Sequence, residues 1–187
     1  MKKTTRILKK YFFLPLSLSL ILGVYSCKQE TGDSKHEATI VKEEVVKADV
    51  SNEKEAVIAH MKKYKDALQS LSVDGTMELF SEDSQVYESG GTEGTYANYI
   101  EHHIGPELSH FNSFTFSNYT IDVQVDLPYA FTTETYVYTI DLKENKEKNR
   151  KAQVISKKGV ATSVLKRNND SWKILKTHSS SRNHTPN

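Results

Sequence analysis

The sequence predicts an α+β domain in which three helices precede four long antiparallel strands. The first half of the domain places apolar side chains three and four residues apart, as on one face of a helix. The second half alternates aromatic or β-branched side chains with polar ones, as strands do. Charged or turn-forming segments separate these strands at 127–128, 143–150 and 168–170. This order is typical of helices packed on one face of a sheet.

The clearest predicted helix covers residues 52–71. Asn52 and Glu55 have the spacing of a capping box, which marks a helix start. Apolar side chains then recur every three or four residues and predict one buried stripe, formed by Val57, Met61, Tyr64, Leu68 and Leu71. The charged residues Lys62, Lys65 and Asp66 are assigned to the opposite, solvated face.

Two shorter helices are predicted over residues 76–80 and 95–104. The second is expected to end at Gly105-Pro106, because glycine favours helix ends and proline cannot continue a helix. Tyr96, Tyr99 and His103 share one of its faces by spacing. His102 lies beside that face.

A short strand is predicted over 85–88. Four long strands follow, over 114–126, 129–142, 154–167 and 171–182. The alternation slips at Ser117-Asn118, as it does at a β-bulge, and bulges bend sheets. In the next strand Glu134 shares a face with Tyr136 and Tyr138. Glu134 therefore enters a pocket if those aromatic residues line one, and is solvated otherwise.

The last predicted strand carries the residues of most chemical interest. With a side-chain period of two, one face is expected to hold Trp172, Ile174, Lys176, His178, Ser180 and Arg182. Because this set is apolar at its start and polar at its end, it predicts a strand that runs from a packed core into a polar pocket.

The N-terminus has the pattern of a secretory signal over residues 1–26. A positively charged start precedes a mostly apolar run that is too short, and broken by Pro15, to favour a spanning helix. The end of that run, Val24-Tyr-Ser-Cys27, resembles a bacterial lipoprotein processing box. The resemblance implies that Cys27 becomes the lipidated first residue of a membrane-anchored protein, in the periplasm or at the cell surface. Residues 27–50 are predicted as a flexible charged linker, 51–182 as the domain and 183–187 as a tail.

Charge and cysteine content narrow the classes of partner. Removing residues 1–26 takes away five of the 25 Lys and Arg residues and none of the 24 acidic ones, so the remaining chain has a net charge of −4. This balance, without a basic patch, argues against nucleic acid as a partner. A single cysteine excludes an intramolecular disulfide, so the core must be stable without one.

Three parts of the chain resemble the SnoaL-like branch of the nuclear transport factor 2-like superfamily, namely 67–80 with 86–91, 99–104, and 159–165 with 172–174 and 178–182. The resemblance implies a cone, in which a strongly curved antiparallel sheet wraps around the N-terminal helices and leaves a pocket open at one end. It also implies a homodimer formed through the outer face of the sheet. Because this superfamily includes isomerases, dehydratases, cyclases and binding modules, the fold does not decide the function.

Acid–base catalysis is one hypothesis for the pocket, with His178, His103 and Glu134 as the candidate catalytic residues. Burial in an apolar cone shifts such groups towards neutral pKa values, where they work as general bases. Tyr64 or Tyr96 would then donate a hydrogen bond to the substrate, in an isomerase, dehydratase or cyclase.

A divalent metal ion is a second hypothesis, although no cofactor is otherwise expected. His103, His178 and Glu134 would form a two-histidine, one-carboxylate site. His102 and His103 are neighbours on a helix and point about 100° apart, so both cannot readily bind one ion.

A binding module that performs no reaction is the third hypothesis, and the one that we favour. The pocket would take a small apolar or amphipathic molecule, and the candidate ligand-binding residues are Tyr64, Tyr96, Tyr99, His102, Ser180 and Arg182. Arg182 could hold an anionic group, because its guanidinium matches a carboxylate.

Overall fold

The computed structural model of the protein describes residues 34–169 and 171–184. The predicted signal peptide and Cys27 lie outside these residues. None of the helices within the described ranges is both long and apolar enough to cross a membrane.

The architecture is the predicted α+β fold, a curved six-stranded sheet with a few helices. Helix α1 and a 3₁₀ turn precede two strands, a three-part helical segment follows, and four long strands complete the chain. The elements are α1 Ser34–Gln69, the 3₁₀ turn Thr76–Leu79, β1 Phe80–Glu88, β2 Gly91–Gly94, α2 Tyr96–Tyr99, a π-helical turn Ile100–Ile104, α3 Gly105–Leu108, β3 Phe111–Asp126, β4 Tyr129–Leu142, β5 Gln153–Asn168 and β6 Ser171–Asn183. The strand order is β2-β1-β6-β5-β4-β3, with β1 and β6 parallel and the other neighbours antiparallel.

Helix α1 begins at Ser34, so the predicted start at Asn52 is wrong and residues 34–50 of the predicted linker are helical. No glycine or proline interrupts the chain between Ser34 and Gln69, and a cap-like pair inside such a run does not stop a helix. Four members of the predicted apolar stripe are buried, Val57, Met61, Tyr64 and Leu68. The fifth, Leu71, lies beyond the end of the helix and is partly buried. The stripe packs against the inner face of the sheet.

The helical segment after β2 continues past Gly105-Pro106, contrary to the prediction. A π-helical turn, in which the Gly105 N–H donates to the Ile100 carbonyl, joins α2 to α3. A Cβ on Gly105 would lie 2.4 Å from that carbonyl oxygen, so only glycine fits there. Pro106 occupies the first turn of α3, where its missing N–H has no helical partner to lose.

Two irregularities bend the sheet. The predicted bulge is confirmed in β3, where the register with β4 shifts between Ser117 and Thr120 and Asn118 takes a positive φ of 51°. A second one lies in β6, because Val164 pairs with Lys176 whereas Leu165 pairs with Ile174. The residue between them, Leu175, is the extra one.

The bulge at Leu175 overturns the prediction that one face of β6 runs from Trp172 to Arg182. Trp172 and Ile174 are buried, as expected, but one extra residue exchanges the faces beyond it. His178 is consequently exposed on the outer face of the sheet, and Thr177 and Ser179 turn inwards.

A buried carboxylate joins α1 to the β5–β6 hairpin. Glu53 is 7% exposed and forms an ion pair with Arg167. Its other oxygen accepts a hydrogen bond from Trp172 Nε1 at 3.0 Å. Hydrogen bonds to charged groups typically stabilise a protein by about 1.5–3 kcal/mol each. Glu53 therefore fixes α1 across the mouth of the hairpin and sets the position of the rest of the helix over the sheet.

Candidate functional site

A cavity of about 80 Å³ lies between α1 and the inner face of the sheet. Seven of its fifteen lining residues are aromatic: Tyr64, Tyr87, Tyr99, Phe114, Phe116, Tyr136 and Tyr138. Its polar lining includes Lys65 from α1, Glu88 from β1, and Thr177 and Ser179 from β6. The cavity thus combines an apolar surface with a few convergent polar groups, which is the usual composition of a ligand site.

Lys65, which lines this cavity, forms a buried ion pair with Glu134, which lies behind it and is not one of the lining residues. The Lys65 ammonium lies 3.4 Å from Glu134 Oε1, and the two side chains are 10% and 1% exposed. The Tyr119 hydroxyl donates a hydrogen bond to the same oxygen, at 2.6 Å. Glu134 Oε2 is buried and has no hydrogen-bond partner in the described part of the chain. One carboxylate oxygen is therefore fully engaged, and the other is free to accept.

Aromatic rings surround the Lys65 ammonium on the sides that Glu134 leaves open. Its Nζ lies 5.4 Å from the centre of the Tyr64 ring, 5.3 Å from Phe116 and 5.0 Å from Tyr136. Each distance is within the range of a cation–π contact, which favours the charged form of the amine. Desolvation acts in the opposite direction and is the larger effect, so burial lowers the pKa of Lys65 although Glu134 raises it.

Gly159 makes room for one ring of this cage. It pairs with Tyr136 across β4 and β5, and a Cβ on Gly159 would lie 2.2 Å from Cε2 of that ring. Any other residue would push the ring away from Lys65, so this glycine is required for the close approach of a side chain.

A second group of charged residues lies at the rim of the cavity, where the carboxylates of Glu88, Glu93 and Glu107 surround His103. His103 Nδ1 lies 3.0 Å from Glu93 Oε2, and Nε2 lies 3.6 Å from Glu107 Oε1 and 4.0 Å from Glu88 Oε2. Burial tends to lower the pKa of His103, but the hydrogen bond to Glu93 and the charges of Glu107 and Glu88 outweigh it and raise the pKa. Tyr99 donates to Glu88 at 2.7 Å, which connects this group to the cavity wall.

Comparison with known proteins identifies the family. The model of the SnoaL-like domain matches residues 57–183, which is more than half of the chain. The chain belongs to the SnoaL-like family. No protein of curated function matches it by sequence.

Solved structures share the fold of this SnoaL-like chain at low identity. A candidate dehydratase of the NTF2-like family from Streptomyces avermitilis is 15% identical over 70% of this chain and 97% of its own, with a TM-score of 0.59. An NTF2-like superfamily protein from Salmonella enterica is 18% identical over 73% and 95%, with a TM-score of 0.58. A candidate ketosteroid isomerase from Shewanella frigidimarina is 20% identical over 65% and 92%, with a TM-score of 0.51. At these identities the likeness shows the fold alone.

The SnoaL-like cone brings together some of the residues that the sequence singled out. Tyr64 and Tyr99 line the cavity, and Glu134 lies behind Lys65 on the inner face of β4 with Tyr136 and Tyr138. Tyr96 is buried below them, with its ring stacked on Phe80 at a centroid distance of 3.5 Å. The alternative that left Glu134 solvated is wrong.

Other predicted residues lie elsewhere. His102 is exposed beside Glu101, with 3.8 Å between the imidazole and the carboxylate. Ser180 and Arg182 line a groove of about 570 Å³ that also includes the outward side chain of Val160, so they are not in the cone. His178 is on that outer face as well, because of the bulge in β6.

The predicted metal site is not formed. His103 is at the rim, Glu134 is inside the cone, and His178 is exposed on the other side of the sheet. Within residues 34–169 and 171–184 no group of three His, Cys, Asp or Glu side chains is arranged to hold a metal ion.

Lys65 is the important residue that the sequence interpretation missed. Its charge predicts a place on the solvated face of the first helix. However, it follows Met61 by four residues and precedes Leu68 by three, which is the spacing of the buried stripe itself. That spacing was the available signal. Tyr119 had no comparable signal, because its contact with Glu134 depends on the bulge in β3.

The group around His103 predicts a pH-dependent contribution to stability. A histidine with a pKa raised by folding stabilises the protein fully below its unfolded pKa, near 6.5, and loses that effect as the pH rises through the folded value. The difference in free energy of unfolding between wild type and His103→Gln should therefore be larger at pH 6 than at pH 9, as measured by urea denaturation.

The control for this measurement is His102→Gln, which removes an exposed imidazole from the same turn. Glu107 also titrates in this group: burial raises its pKa, the charges of Glu88 and Glu93 add to that, and His103 opposes it. The experiment is therefore kept at pH 6 and above. An equal destabilisation by His103→Gln at both pH values would contradict the prediction.

Proposed function

We propose that the protein is a lipid-anchored binding protein of the SnoaL-like family, whose cone takes a small neutral molecule with a carbonyl or hydroxyl oxygen. The observation that carries this proposal is the Lys65 ammonium at the wall of an aromatic cavity, with Glu134 paired to it from behind. The following arguments from size, charge and hydrogen bonding support it.

The size of the cavity limits the ligand. Pockets for drug-sized molecules start at about 300 Å³, well above the 80 Å³ of this cavity. A steroid does not fit into that volume. A molecule of a few non-hydrogen atoms, or the end of a longer one, does.

The charge of the cavity wall favours a neutral ligand. Lys65 and Glu134 already neutralise each other, so an ionised ligand would bring an uncompensated charge into an apolar cone, which is costly. The ammonium is solely a hydrogen-bond donor, and it suits a carbonyl or hydroxyl oxygen. The aromatic wall would cover the apolar part of the same molecule.

An acid–base enzyme is the second candidate function. Glu134 offers an unpartnered carboxylate oxygen within the described part of the cone, and the Lys65 ammonium is 3.4 Å from its other oxygen. A base and an acid that are so close could move a proton next to a bound carbonyl group. Exchange of the α-hydrogens of butanone for deuterium in D₂O, followed by NMR, separates the two functions. A binding protein returns the compound unlabelled.

Filling the cavity tests the binding proposal. Ala161 is 4% exposed and lines the cavity, so Ala161→Leu should occupy the space of the ligand at a cost in stability of about 1–3 kcal/mol. The matched control is Thr162→Leu, at the neighbouring position on the outer face. A ligand at ten times its Kd stabilises a protein by about 1.4 kcal/mol, which raises the Tm by a few degrees.

We expect butanone or cyclopentanone to raise the Tm of the wild type and of Thr162→Leu, but not that of Ala161→Leu. Steroid-sized ketones should have no effect on any of the three. The proposal fails if small carbonyl compounds and alcohols leave the wild-type Tm unchanged, or if Ala161→Leu responds as the wild type does.

Membrane anchoring is the second part of the proposal, and it depends on Cys27. Acylation at this residue would hold the domain at a membrane surface in the periplasm or outside the cell. Cys27→Ser should therefore move the protein from the membrane to the soluble fraction and abolish incorporation of labelled palmitate. The replacement Ser26→Ala keeps a small residue before Cys27 and serves as the control. Membrane association of Cys27→Ser equal to that of the wild type would refute lipid anchoring.

A homodimer through the outer face of the sheet is the third part. Phe131 and Val160 point outwards there and are 43% and 47% exposed. On the same face β3 carries the acidic Asp122 and Asp126, and β6 carries the basic Lys176. A two-fold axis could bring the acidic edge of one copy near the basic strand of the other, so the face is suited to self-association.

Val160→Asp should convert this dimer into a monomer in analytical ultracentrifugation, because it would bury an unpaired charge in the interface. The matched control is Ile58→Asp, which changes an exposed apolar residue on α1. This interface would be excluded if the Val160→Asp variant still sedimented as a dimer. It would also be excluded if the wild-type protein sedimented as a monomer.

A further inference from the structure

We propose that Lys65 forms a Schiff base with the carbonyl carbon of a small aldehyde or ketone that enters the cone. This inference rests on the proposed function, because the carbonyl compound must first bind in the cavity. It adds a covalent step and names the substrate class, and it assigns Lys65 as the nucleophile.

Lys65 is the group on the cavity wall that is best suited to attack a carbonyl carbon. The other polar groups there are the Glu88 carboxylate, which is a weak nucleophile, and hydroxyl groups, including those of Tyr64, Tyr99 and Tyr136. Burial raises the pKa of each of these three phenols, so they stay protonated and are poor nucleophiles. A lysine in an apolar pocket loses its proton more easily than one in water, which activates it for this reaction.

Glu134 is placed to move the protons of the reaction. The Lys65 ammonium first gives a proton to the Glu134 carboxylate, 3.4 Å away, and becomes a neutral amine. Its lone pair forms a bond to the carbonyl carbon, and the π electrons of the carbonyl move to the oxygen. One proton then passes from nitrogen to that oxygen, which gives a neutral carbinolamine.

Glu134 returns its proton to the hydroxyl group of the carbinolamine, and the C–O bond breaks as water leaves. The nitrogen lone pair forms the C=N bond, and the product is a protonated Schiff base. The sum is ammonium plus carbonyl compound giving iminium ion plus water, with the Glu134 carboxylate restored. No oxidant or reductant is needed.

The surroundings of Lys65 suit the cationic product. The rings of Tyr64, Phe116 and Tyr136, 5.0 to 5.4 Å from Nζ, stabilise a cation at that nitrogen whether it is an ammonium or an iminium ion. Glu134 remains as the counter-ion. The narrow cavity leaves little space for the water that would hydrolyse the C=N bond.

Reductive trapping in the wild-type protein tests the inference without any mutation. The full chain is incubated with limiting propanal and sodium cyanoborohydride at pH 7, and propylated lysines are located by peptide mass spectrometry. Lys62 and Lys63 are the internal controls, because both are exposed on the same helix. We expect Lys65 to be propylated at least about tenfold faster than either, as an activated amine in a binding site should be.

Two variants separate this inference from the proposed function. Ala161→Leu should reduce propylation of Lys65 to the rate of the exposed lysines or below, and Glu134→Gln should slow it about tenfold with Lys62 and Lys63 unaffected. Propylation of Lys65 no faster than that of Lys62 and Lys63 overturns the Schiff base. If butanone still raises the Tm in that case, binding in the cone stands and the covalent step alone is wrong.

Discussion

The buried ion pair between Lys65 and Glu134 is the constraint on which the interior of this cone depends. Two charges removed from water lose hydration worth several kcal/mol each, and their attraction compensates for that loss only if the pair stays together. Removing one partner of such a pair typically costs about 3–5 kcal/mol, because the other charge is left alone in an apolar surrounding. Replacing a buried ion pair by apolar residues of similar volume is often neutral or stabilising. The pair is therefore explained better by a function than by stability.

The bends of the sheet decide which side chains share the interior with this pair. The bulge at Asn118 allows Tyr119 to reach Glu134, and the bulge at Leu175 turns Thr177 towards the cavity. Gly159 then admits the ring of Tyr136 across β5. The two bulges and Gly159 make the sheet less regular. Together they allow aromatic side chains to enclose the Lys65–Glu134 pair. The curvature of the fold and the chemistry of the site thus have the same local causes.

Patterns along the chain predicted the fold because the buried faces of α1 and the long strands are continuous. The limits of β4, Tyr129 and Leu142, follow from its alternation, and the bulge in β3 was visible as a change of phase. The bulge in β6 causes no visible change of phase, because residues 176–182 are all polar and the two faces of the strand have the same kind of side chains there. One extra residue moved His178 out of the predicted site.

The charge of a side chain did not predict its exposure at Lys65 and Glu134, which are both buried. Lys65 and Glu134 look like surface residues when each is considered alone, and only their pairing makes burial acceptable. That pairing joins a helix to a strand that is distant in sequence, so no local pattern could predict it. The apolar spacing around Lys65 is the one local sign of its burial, and the charge of its side chain predicts the opposite.

The neutrality of the pair also separates this cone from a simple anion site. A lone buried lysine would attract carboxylates, and a lone buried glutamate would attract amines. Together they carry no net charge, so they favour a ligand group that is polar but uncharged. Transfer of one proton between them turns the ammonium into an amine and the carboxylate into an acid, with no change in the net charge of the cavity. In the proposed reaction the bound and the reactive states therefore differ by the position of a single proton, which has to move only between Lys65 Nζ and Glu134 Oε1, 3.4 Å apart.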